Sequence, residues 1–449
     1  MVKNNMNIDN IKTTRFVLKK FSLSYVNKKY LNWFKDRDVN RFISFKPKNL
    51  SDLRNNIIET LKEKNTIFFA IFNKTKHIGN LKIHNINYQK NVAWLGILIG
   101  DKNYRGQKVS PEVIEYLKNY LIKKKIYFLK LNVHKKNLPA IKAYLKSKFF
   151  IVKKNKNFYT MKCYLYSKKI ILGLAQLQSI YGVTNSEKKK LSKKESSLIL
   201  KKLDQSNIEE VDSAFSYPLQ IKLFKETQNK ILFNTKVLTT EEKNFNFYTD
   251  QLKKIKKYKN IKINTLFVHD GNNLLSEDGK RLYNKIVKLK NKNIIKKIGV
   301  SFHDFTNFKK ILNMYKIDVI QIPYNVADQR GKKYFKFIKK KHIEIQARSI
   351  FLQGALLKKI KSNFKLCEIY NKIKPKDNID RVNILISFVL NEINIDKIII
   401  GVRQESELKM ILNFSKLKFD KKNYRNLRTN DLDIIDPLRW KELNYHEKK

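Results

Sequence analysis

Cysteine is scarce in this sequence, with Cys163 and Cys367 as its two examples in 449 residues. Two isolated cysteines do not suggest a disulfide framework or a metal site, so we expect no bound metal and a reducing, cytoplasmic environment. The chain also lacks an apolar run of membrane-spanning length. Residues 1–14 are polar and lack the apolar core of a signal peptide. We therefore expect a cytoplasmic protein with no membrane partner.

Acidic residues are also scarce, because 96 lysines and arginines stand against 39 aspartates and glutamates, for a formal charge of +57. Such a charge can indicate binding to nucleic acid or another anionic surface. The lysines are spread over both halves, however, and asparagine and isoleucine are abundant as well. This pattern favours a bias in base composition. Runs such as Lys188–Lys190 and Lys339–Lys341 are then solvated faces, and we do not expect a nucleic-acid partner.

The length of 449 residues indicates two or three domains, and a hydrophobic content of 42% is enough for packed cores. We assign residues 1–13 to a flexible arm, 14–166 to a first domain and 168–449 to a second domain.

The second domain alternates short β-branched strands with helices from Ile170 onward, which predicts a parallel barrel of eight strands. Three of its predicted strands end in titratable groups, namely 208–211 before Asp212, 231–235 before Lys236 and 263–268 before His269. The C-terminal ends of parallel barrel strands meet on one face, where such barrels carry their active sites. We therefore expect these side chains to meet there, together with Tyr217 from the loop after Asp212.

This set of side chains suits protonation of a carbonyl oxygen. A free tyrosine, with a pKa of about 10, is a poor acid at neutral pH, but a neighbouring ammonium favours the phenolate and lowers that pKa. We expect Lys236 to act on Tyr217 in this way, while Asp212 holds Lys236 and His269 orients the carbonyl group.

The constellation resembles the aldo-keto reductases from about Lys168 to the C-terminus. The motifs in the family's order are Gly173–Gln176, Tyr181–Gly182, Val268–Asp270, Ile298–Ser301, Gln321–Asn325, Gln353–Gly354 and Ile400–Arg403. The resemblance implies catalysis by the four residues above and NADP(H) as the cofactor. It also implies a cofactor site made by Gly173, Ala175, Ser301, Gln321, Ser349, Gly401, Arg403 and Glu407. In that site Ser301 and Gln321 would hold the carboxamide, and Arg403 would favour NADP(H) over NAD(H).

Two positions depart from the reductase pattern. The usual asparagine after Ser301 is Phe302, and Arg348 aligns with the aromatic residue that stacks on the nicotinamide. A guanidinium can also stack on a ring, so the site could survive the second change. Arg330 and Arg348 share the predicted active face and could contact a phosphate-bearing substrate.

The first domain contains a predicted strand, Val92–Ile99, followed by a glycine-bearing loop and a helix expected to open at Pro111. Such a loop at a helix N-terminus is an anion site. This strand, loop and helix resemble those of the GNAT acyltransferases, and the resemblance extends over about residues 14–164. It implies acetyl-CoA as the cofactor. The implied contacts are Leu98, Ile99, Gly100, Arg105, Gly106, Gln107, Lys108, Val109 and Ser110, with Asn137 further along the chain.

The same resemblance implies that Tyr144 protonates the departing CoA thiolate. Lys108 and Ser110 replace glycines of the family's loop, so two permissive backbone positions are lost. Positions that often carry a catalytic glutamate hold Trp94 and Asn132. The general base is therefore open; the candidates are His84 and His134.

We expect an α/β protein in which a GNAT mixed α/β domain precedes a (β/α)8 TIM barrel of the aldo-keto reductase type. The expected function is bifunctional: an N-acetyltransferase and an NADP(H)-dependent reductase for unusual amino sugars or surface polysaccharides. Its substrates would be an amine acceptor and a carbonyl compound, and one of them could be a nucleotide-sugar. One alternative is a protein N-terminal acetyltransferase fused to a reductase. Another is a basic nucleic-acid-binding protein with degenerate catalytic domains.

Overall fold

The computed structural model describes residues 10–124, 126–182, 190–206, 208–217, 224, 227, 230–238, 242–359, 364–375, 381–412, 424 and 426–440. These residues form two compact units, and the boundary between them lies between Tyr166 and Ser167.

The first unit is built on one eight-stranded sheet with the strand order β1-β2-β3-β4-β5-β6-β8-β7. Its strands are β1 (Ile11–Lys12), β2 (Val17–Lys20), β3 (Ile67–Asn73), β4 (Lys76–Asn87), β5 (Val92–Ile99), β6 (Phe128–His134), β7 (Phe150–Lys154) and β8 (Phe158–Tyr164). Neighbouring strands are antiparallel, except that β5 and β6 run parallel. That pairing covers Val92–Trp94 against Phe128–Lys130, so the C-terminal parts of β5 and β6 are not paired with each other.

The helices of this unit are α1 (Lys28–Lys35), α2 (Arg37–Asn40), α3 (Leu50–Lys62), α4 (Val109–Lys123) and α5 (Leu138–Lys146). Helix α4 buries one stripe against the sheet, formed by Val113, Ile114, Leu117 and Leu121. These positions recur with the three- and four-residue spacing of an amphipathic helix. The helix begins two residues before Pro111, the start expected from the sequence.

The end of the predicted arm belongs to the fold. Ile11 is buried and pairs with Leu18, which makes residues 11–12 the edge strand β1. The Thr13 hydroxyl donates to Glu112 in the first turn of α4 over 2.7 Å. The expectation of a flexible arm therefore does not hold for residues 10–13, because an apolar side chain and a side-chain hydrogen bond attach them; residues 1–9 lie outside the described part.

In the described part of the second unit, eight parallel strands close a barrel in the order β10-β11-β12-β13-β14-β15-β16-β9. They are β9 (Ile170–Gly173), β10 (Glu210–Asp212), β11 (Ile231–Val237), β12 (Ile261–Val268), β13 (Lys297–Ser301), β14 (Val319–Pro323), β15 (Glu344–Arg348) and β16 (Lys397–Gly401). The predicted fold class, a mixed α/β domain before an eight-stranded parallel barrel, is confirmed.

The helices of the second unit are α6 (Ala175–Gln178), α7 (Lys193–Asp204), α8 (Glu242–Lys256), α9 (Glu277–Asn291), α10 (Phe308–Met314), α11 (Phe335–Lys340), α12 (Phe364–Lys372), α13 (Arg381–Leu390), α14 (Glu405–Leu412) and α15 (Leu432–Ile435). A helix expected near 219–227 lies, apart from Phe224 and Thr227, outside the described residues. In the lysine run 339–341, which was expected to be a solvated face, Lys339 lies near the end of α11 and forms an ion pair with Asp396.

The barrel interior contains a polar network below the strand ends. Glu210 Oε1 accepts hydrogen bonds from Asn234 Nδ2 over 2.7 Å and from Asn264 Nδ2 over 3.2 Å, and Glu210 also pairs with Lys397. A buried carboxylate is tolerated when it is paired and hydrogen-bonded in this way. Because side chains alternate along a strand, Glu210 and Asp212 share a face of β10, and the network fixes the strand that carries Asp212.

None of the helices in the described ranges is long and apolar enough to cross a membrane. The same ranges contain no cluster of three or more His, Cys, Asp or Glu side chains that could hold a metal ion.

Candidate active sites

Three strand ends of the barrel bring together the predicted aspartate, lysine and histidine. Asp212 ends β10, Lys236 lies in β11, and His269 directly follows β12. The Lys236 ammonium donates to Asp212 Oδ2, in an ion pair whose side chains are only 10% and 11% exposed, and to the Ser213 carbonyl over 3.2 Å. Burial lowers the pKa of Lys236, and the Asp212 carboxylate opposes that shift. The ion pair therefore holds a charged ammonium in place.

Tyr217 lines the same cavity as Lys236 but makes no direct hydrogen bond to it among the described residues. Burial raises the pKa of Tyr217 well above its ordinary value; Tyr181 and Asp212 add to the rise, while Arg348 opposes it. The net shift of the pKa is opposite to the expected lowering by Lys236, because the loss of hydration outweighs the effect of the Arg348 charge. The phenol is consequently protonated at neutral pH.

A buried amide fixes the other oxygen of Asp212. Gln321 Nε2 donates to Asp212 Oδ1 over 2.8 Å and to Gln346 Oε1 over 3.1 Å. The carbonyl oxygen of Gln321, Oε1, is buried without a hydrogen-bond partner in the described part of the chain. An unsatisfied buried acceptor is costly, and a carboxamide NH2 group would satisfy it. This geometry fits a nicotinamide beside Gln321.

One cavity of about 350 Å³ unites the predicted reductase site. Its walls include every residue predicted for catalysis or cofactor binding in the barrel, namely Gly173, Ala175, Asp212, Tyr217, Lys236, His269, Ser301, Gln321, Ser349, Gly401, Arg403 and Glu407. These residues come from all eight strand ends and the segments that follow them. The barrel thus brings the whole set to one face.

The start of α14 lines part of this cavity. Glu407 Oε2 accepts a hydrogen bond from the backbone N–H of Arg403 over 2.6 Å, which fixes the turn between β16 and α14. A Cβ at Gly401 would lie 1.9 Å from Gln176 Oε1, so any larger residue here would have to displace the end of the Gln176 side chain. The glycine therefore keeps the end of β16 close to the segment after β9.

His269 has a second histidine beside it that the sequence did not single out. The rings of His269 and His303 lie 5.4 Å apart, and both line the cavity. Burial lowers the pKa of His269 to about 4, with the Lys236 and Arg348 charges adding to the shift. The Arg348 charge, followed by burial, lowers the pKa of His303 to about 3. His303 could have been predicted as a residue of the site from its position, because it follows Ser301 by two residues and therefore lies just beyond the end of a strand.

The two departures from the reductase pattern have different structural effects. Phe302 is 1% exposed and packs on Phe308 with ring centroids 4.6 Å apart, so its side chain belongs to the core. Arg348 lines the cavity and donates from Nη2 to the Phe302 carbonyl over 3.1 Å and to His303 Nδ1 over 3.0 Å. Arg330, expected beside Arg348 as a phosphate contact, is instead bound by Asp328 through Nε (3.0 Å) and Nη2 (2.8 Å).

In the first unit, the predicted anion site is the loop between β5 and α4. Gly106 has φ +77° and Lys108 has φ +59°, so the lysine adopts the left-handed conformation that glycine would favour. The residue at the N-cap of α4 is Lys108, and no side chain among the described residues caps this helix. The first N–H groups of a helix have no partner within it. They are therefore available to phosphate oxygens here, which fits the pyrophosphate of acetyl-CoA.

Arg105 supports this loop rather than reaching out of it. Its Nε donates to the Ile99 carbonyl over 3.1 Å, Nη2 donates to the Gly100 carbonyl over 2.9 Å, and Nη1 donates to Asp36 Oδ2 over 3.0 Å. All of these bonds lie inside the protein. The guanidinium thus holds the loop against the end of β5 through three of its five N–H groups.

Asn137 directly precedes α5, the helix after β6, and Tyr144 lies on that helix. The side chain of Asn137 caps the helix, since its Oδ1 accepts from the Ala140 N–H over 3.2 Å. Tyr144 is 8% exposed, and burial raises its pKa to about 12, so its phenol is protonated at neutral pH. A protonated phenol can act as an acid towards a thiolate.

The candidate bases of the first unit lie apart along the sheet. His84 is opposite Trp94 in the β4–β5 pairing, and burial lowers its pKa, with the Lys82 charge adding to the shift. His134 ends β6, and its Nδ1 accepts from the Lys136 N–H over 3.2 Å. Asn132 is also engaged, because its Oδ1 accepts from the Thr160 hydroxyl over 2.8 Å. Neither histidine is singled out as a base by these contacts.

The barrel with its strand-end lysine and aspartate, together with the sheet and its uncapped helix, defines a two-domain enzyme that joins an oxidoreductase to an acyltransferase. The chain belongs to the aldo/keto reductase family, whose model matches residues 169–431, and it also carries an acetyltransferase (GNAT) domain at residues 15–149. Enzymes of these families use NADP(H) and acetyl-CoA, respectively, as predicted. The two enzyme domains of this chain imply small-molecule substrates.

Solved structures resemble each part. An aldo-keto reductase from Bacillus halodurans in its holo form is 15% identical, with a TM-score of 0.47 over 58% of this chain and 90% of that one. The ribosomal alpha-N-protein acetyltransferase RimL in complex with coenzyme A is 11% identical, with a TM-score of 0.31 over 35% and 98%. A spermidine N-acetyltransferase chimera from Vibrio cholerae SpeG and hSSAT is 14% identical, with a TM-score of 0.30 over 34% and 96%. A search of the curated proteins found no match.

Proposed function

We propose that the barrel reduces a carbonyl compound with NADPH and that Tyr217 gives the proton to the carbonyl oxygen. The observation that carries this proposal is the Lys236–Asp212 ion pair inside a cavity that Tyr217 and His269 also line. These four groups come from three different strand ends and have little reason to share a cavity unless they act together.

Each of the four residues has a role that its chemistry allows. The protonated phenol of Tyr217 donates to the carbonyl oxygen, and the Lys236 ammonium stabilises the negative charge left on the phenolate. Asp212 holds the ammonium in position. His269, whose pKa of about 4 keeps it neutral at physiological pH, orients the carbonyl group through an N–H. Bound NADPH supplies the hydride.

The cofactor site follows from the same cavity. Gln321 and Ser301 would hold the carboxamide, while Ser349, Gly401 and Arg403 would line the phosphates. Gly173, Ala175 and Glu407 complete the wall around the cofactor. An arginine at the end of β16 can make charge-assisted bonds to the 2′-phosphate, so we propose NADP(H) rather than NAD(H).

For the first domain we propose N-acetylation of an amine with acetyl-CoA. The N–H groups of the loop from Leu98 to Ser110 would bind the pyrophosphate at the uncapped start of α4. Tyr144 would return a proton to the departing thiolate. Asn137 would add a cofactor contact through its Nδ2, since its Oδ1 caps α5. The base that accepts the amine proton stays unassigned.

The two activities together suit the biosynthesis of an unusual amino sugar, such as one of a surface polysaccharide. This pathway is an inference from family analogy and not from the chemistry of either site. We propose residues 14–166 and 168–449 as the functional domains and the cytoplasm as their location.

The test uses the full-length protein. NADPH oxidation is followed with a panel of aldehydes and keto-sugars, and CoA release is followed with a panel of amino sugars, nucleotide-linked amino sugars and N-terminal peptides. The proposal expects turnover of a carbonyl compound and of an amino sugar. If only peptides are acetylated in the second panel, the first domain acts on protein N-termini instead of amino sugars. If no carbonyl compound is reduced in the first panel, the proposed reductase activity is wrong.

A further inference from the structure

Arg348 is a cation of the barrel cavity that forms no ion pair with any carboxylate in the described part of the chain. The charged residues lining the cavity are the cations Lys236, Arg348 and Arg403 and the carboxylates Asp212 and Glu407. Asp212 is paired with Lys236, and the start of α14 holds Glu407 at the backbone of Arg403. Among the described residues, no carboxylate lies within ion-pair distance of Arg348. The reductase cavity therefore carries an excess of one positive charge on its wall.

The guanidinium is also incompletely hydrogen-bonded. Nη1 donates to the Ser349 hydroxyl over 3.2 Å, and Nη2 reaches the Phe302 carbonyl and His303, but Nε is buried without an acceptor in the described part of the chain. A buried charge without a partner is strongly destabilising. The three hydrogen bonds and the charges of Asp328 and Asp212 compensate only part of this cost. A negatively charged ligand in the cavity would compensate the rest.

The position of Arg348 indicates that this ligand would bind at the end of the cavity where His269 is proposed to orient the carbonyl group of the substrate. Although Arg348 ends β15, its Nη2 contacts lie on the segment that follows β13, and His303 from that segment lies against His269. Arg403 and Gly401, where the cofactor phosphates are proposed, are on β16 and the turn after it. The guanidinium thus points to the side where His269 would orient the substrate.

His303 adds a directed hydrogen-bond donor to this place. Arginine has no acceptor atom, so His303 Nδ1 must accept from Arg348, and the proton of the neutral ring lies on Nε2. We propose that Arg348 and His303 form a subsite for an oxyanion of the substrate, a carboxylate or a phosphate close to the carbonyl group that is reduced. This subsite would make Arg348 a specificity-determining residue, and it rests on the reductase function proposed above.

The test compares pairs of substrates that differ in charge. The carboxylate pair is 4-carboxybenzaldehyde and methyl 4-formylbenzoate, and the phosphate pair is glyceraldehyde 3-phosphate and glyceraldehyde. The readout is the ratio of kcat/KM within each pair for the full-length enzyme with NADPH. Charge-assisted hydrogen bonds predict a preference of about 10- to 100-fold for the anionic member of at least one pair.

Three variants locate the preference. Arg348→Met should reduce the ratio to near one, whereas Arg348→Lys, which keeps a charge, should retain part of it. Lys409→Met is the matched control, because Lys409 is exposed on α14 and does not line the cavity; it removes one positive charge and should leave the ratio unchanged. A ratio near one in the native enzyme, or one that survives Arg348→Met, would overturn the subsite. The pair that responds identifies the anion as carboxylate or phosphate.

A binding measurement separates this inference from the proposed reaction. Calorimetric titration of benzoate and of inorganic phosphate into the protein saturated with NADP+ needs no turnover. Binding of either anion that Arg348→Met abolishes and Lys409→Met retains supports the subsite, even if no aldehyde is reduced. Absence of binding by both anions would refute the subsite, even if neutral aldehydes are reduced.

Discussion

The guanidinium of Arg348 donates a hydrogen bond from Nη2 to Nδ1 of His303 across 3.0 Å. This contact keeps the His303 ring neutral, because a protonated imidazole has no acceptor to offer. The same positive charge is the first cause of the low pKa of His303, about 3. One arginine therefore sets both the tautomer and the charge state of the histidine next to it.

The first prediction concerns the pKa of His303. Arg348→Met should raise it from about 3 towards the ordinary histidine value of about 6.5. The shift should be incomplete, because His269, Lys236 and Arg330 still face the ring and burial persists. The measurement is a histidine NMR titration of the full chain, with His303→Gln used to assign the resonance.

A stability readout follows from the same pKa values. The unfolded chain takes up protons on histidine near pH 6.5, whereas folded His269 and His303 resist protonation down to about pH 4 and 3. The unfolded state binds more protons in this window, so stability is lost as the pH falls from about 6.5 towards 3. Urea unfolding should show a smaller loss in Arg348→Met, and an equal loss in both proteins would contradict the assignment.

The second prediction concerns the proton donor. Tyr217→Phe removes the hydroxyl but keeps the ring, so turnover of a carbonyl substrate should fall by about 10²–10⁴-fold. NADPH binding should change little, because the nicotinamide is proposed to lie beside Gln321. Tyr181→Phe is the matched control, since Tyr181 lines the same cavity and is raised in pKa by burial as well. If turnover falls further in Tyr181→Phe than in Tyr217→Phe, Tyr181 and not Tyr217 is the proton donor.

The third prediction separates catalysis from stability at the ion pair. Lys236→Met leaves Asp212 buried without its cation, and breaking such a pair costs about 3–5 kcal/mol in the free energy of unfolding. The double variant Asp212→Asn with Lys236→Met removes both charges and should recover much of that stability. Turnover should stay low in both variants, because the ammonium that stabilises the phenolate is absent. Urea unfolding and NADPH oxidation measure the two effects; recovery of turnover in the double variant would exclude the role of Lys236.

The strand ends explain why so much of the barrel site could be predicted. Asp212 ends β10, Lys236 is the penultimate residue of β11, and His269 directly follows β12. A parallel barrel must bring such positions to one face. The path of the barrel backbone is therefore enough to bring these three side chains close together. The cavity-lining positions of Gly401 and Gln321 could be predicted for the same reason.

The parts that were missed depend on side-chain packing between distant segments. His303 matters because Arg348, 45 positions further along the chain, reaches it. The pKa of Tyr217 rises because hydration is lost in the folded cavity, which no local pattern reveals. The guanidinium of Arg330 forms an ion pair with Asp328, two residues earlier, instead of the expected contact with a phosphate.

The fourth prediction concerns the choice of cofactor. Arg403→Ala should lose a preference of about 10- to 100-fold for NADPH over NADH, the range expected for charge-assisted bonds to the 2′-phosphate. Arg403→Lys should keep part of it, because a lysine still meets a phosphate as a point charge. Fluorescence titration of each cofactor gives the dissociation constants. Equal affinity of the native protein for both cofactors would contradict the assignment.

The fifth prediction concerns the acetyl-CoA loop. Calorimetric titration of the full chain should detect acetyl-CoA binding, and a concentration of about 100 times the dissociation constant should stabilise the first domain by about 2.7 kcal/mol. Binding depends on the loop conformation, which Lys108 adopts at φ +59°. A left-handed conformation costs a residue with a Cβ about 1–2 kcal/mol. Lys108→Gly should therefore stabilise the free domain, because glycine adopts this conformation without that cost.

Lys108→Ala completes the comparison, since alanine keeps the backbone cost but lacks the ammonium. The difference between Lys108 and the alanine variant measures the contribution of the ammonium to acetyl-CoA affinity. The difference between the alanine and glycine variants measures the backbone cost in the free energy of unfolding. If the helix N–H groups carry most of the pyrophosphate binding, the glycine variant should keep an acetyl-CoA dissociation constant within about tenfold of the native one. If the native protein shows neither heat of binding nor a shift in melting temperature at millimolar acetyl-CoA, the first domain is a GNAT fold without acetyltransferase activity.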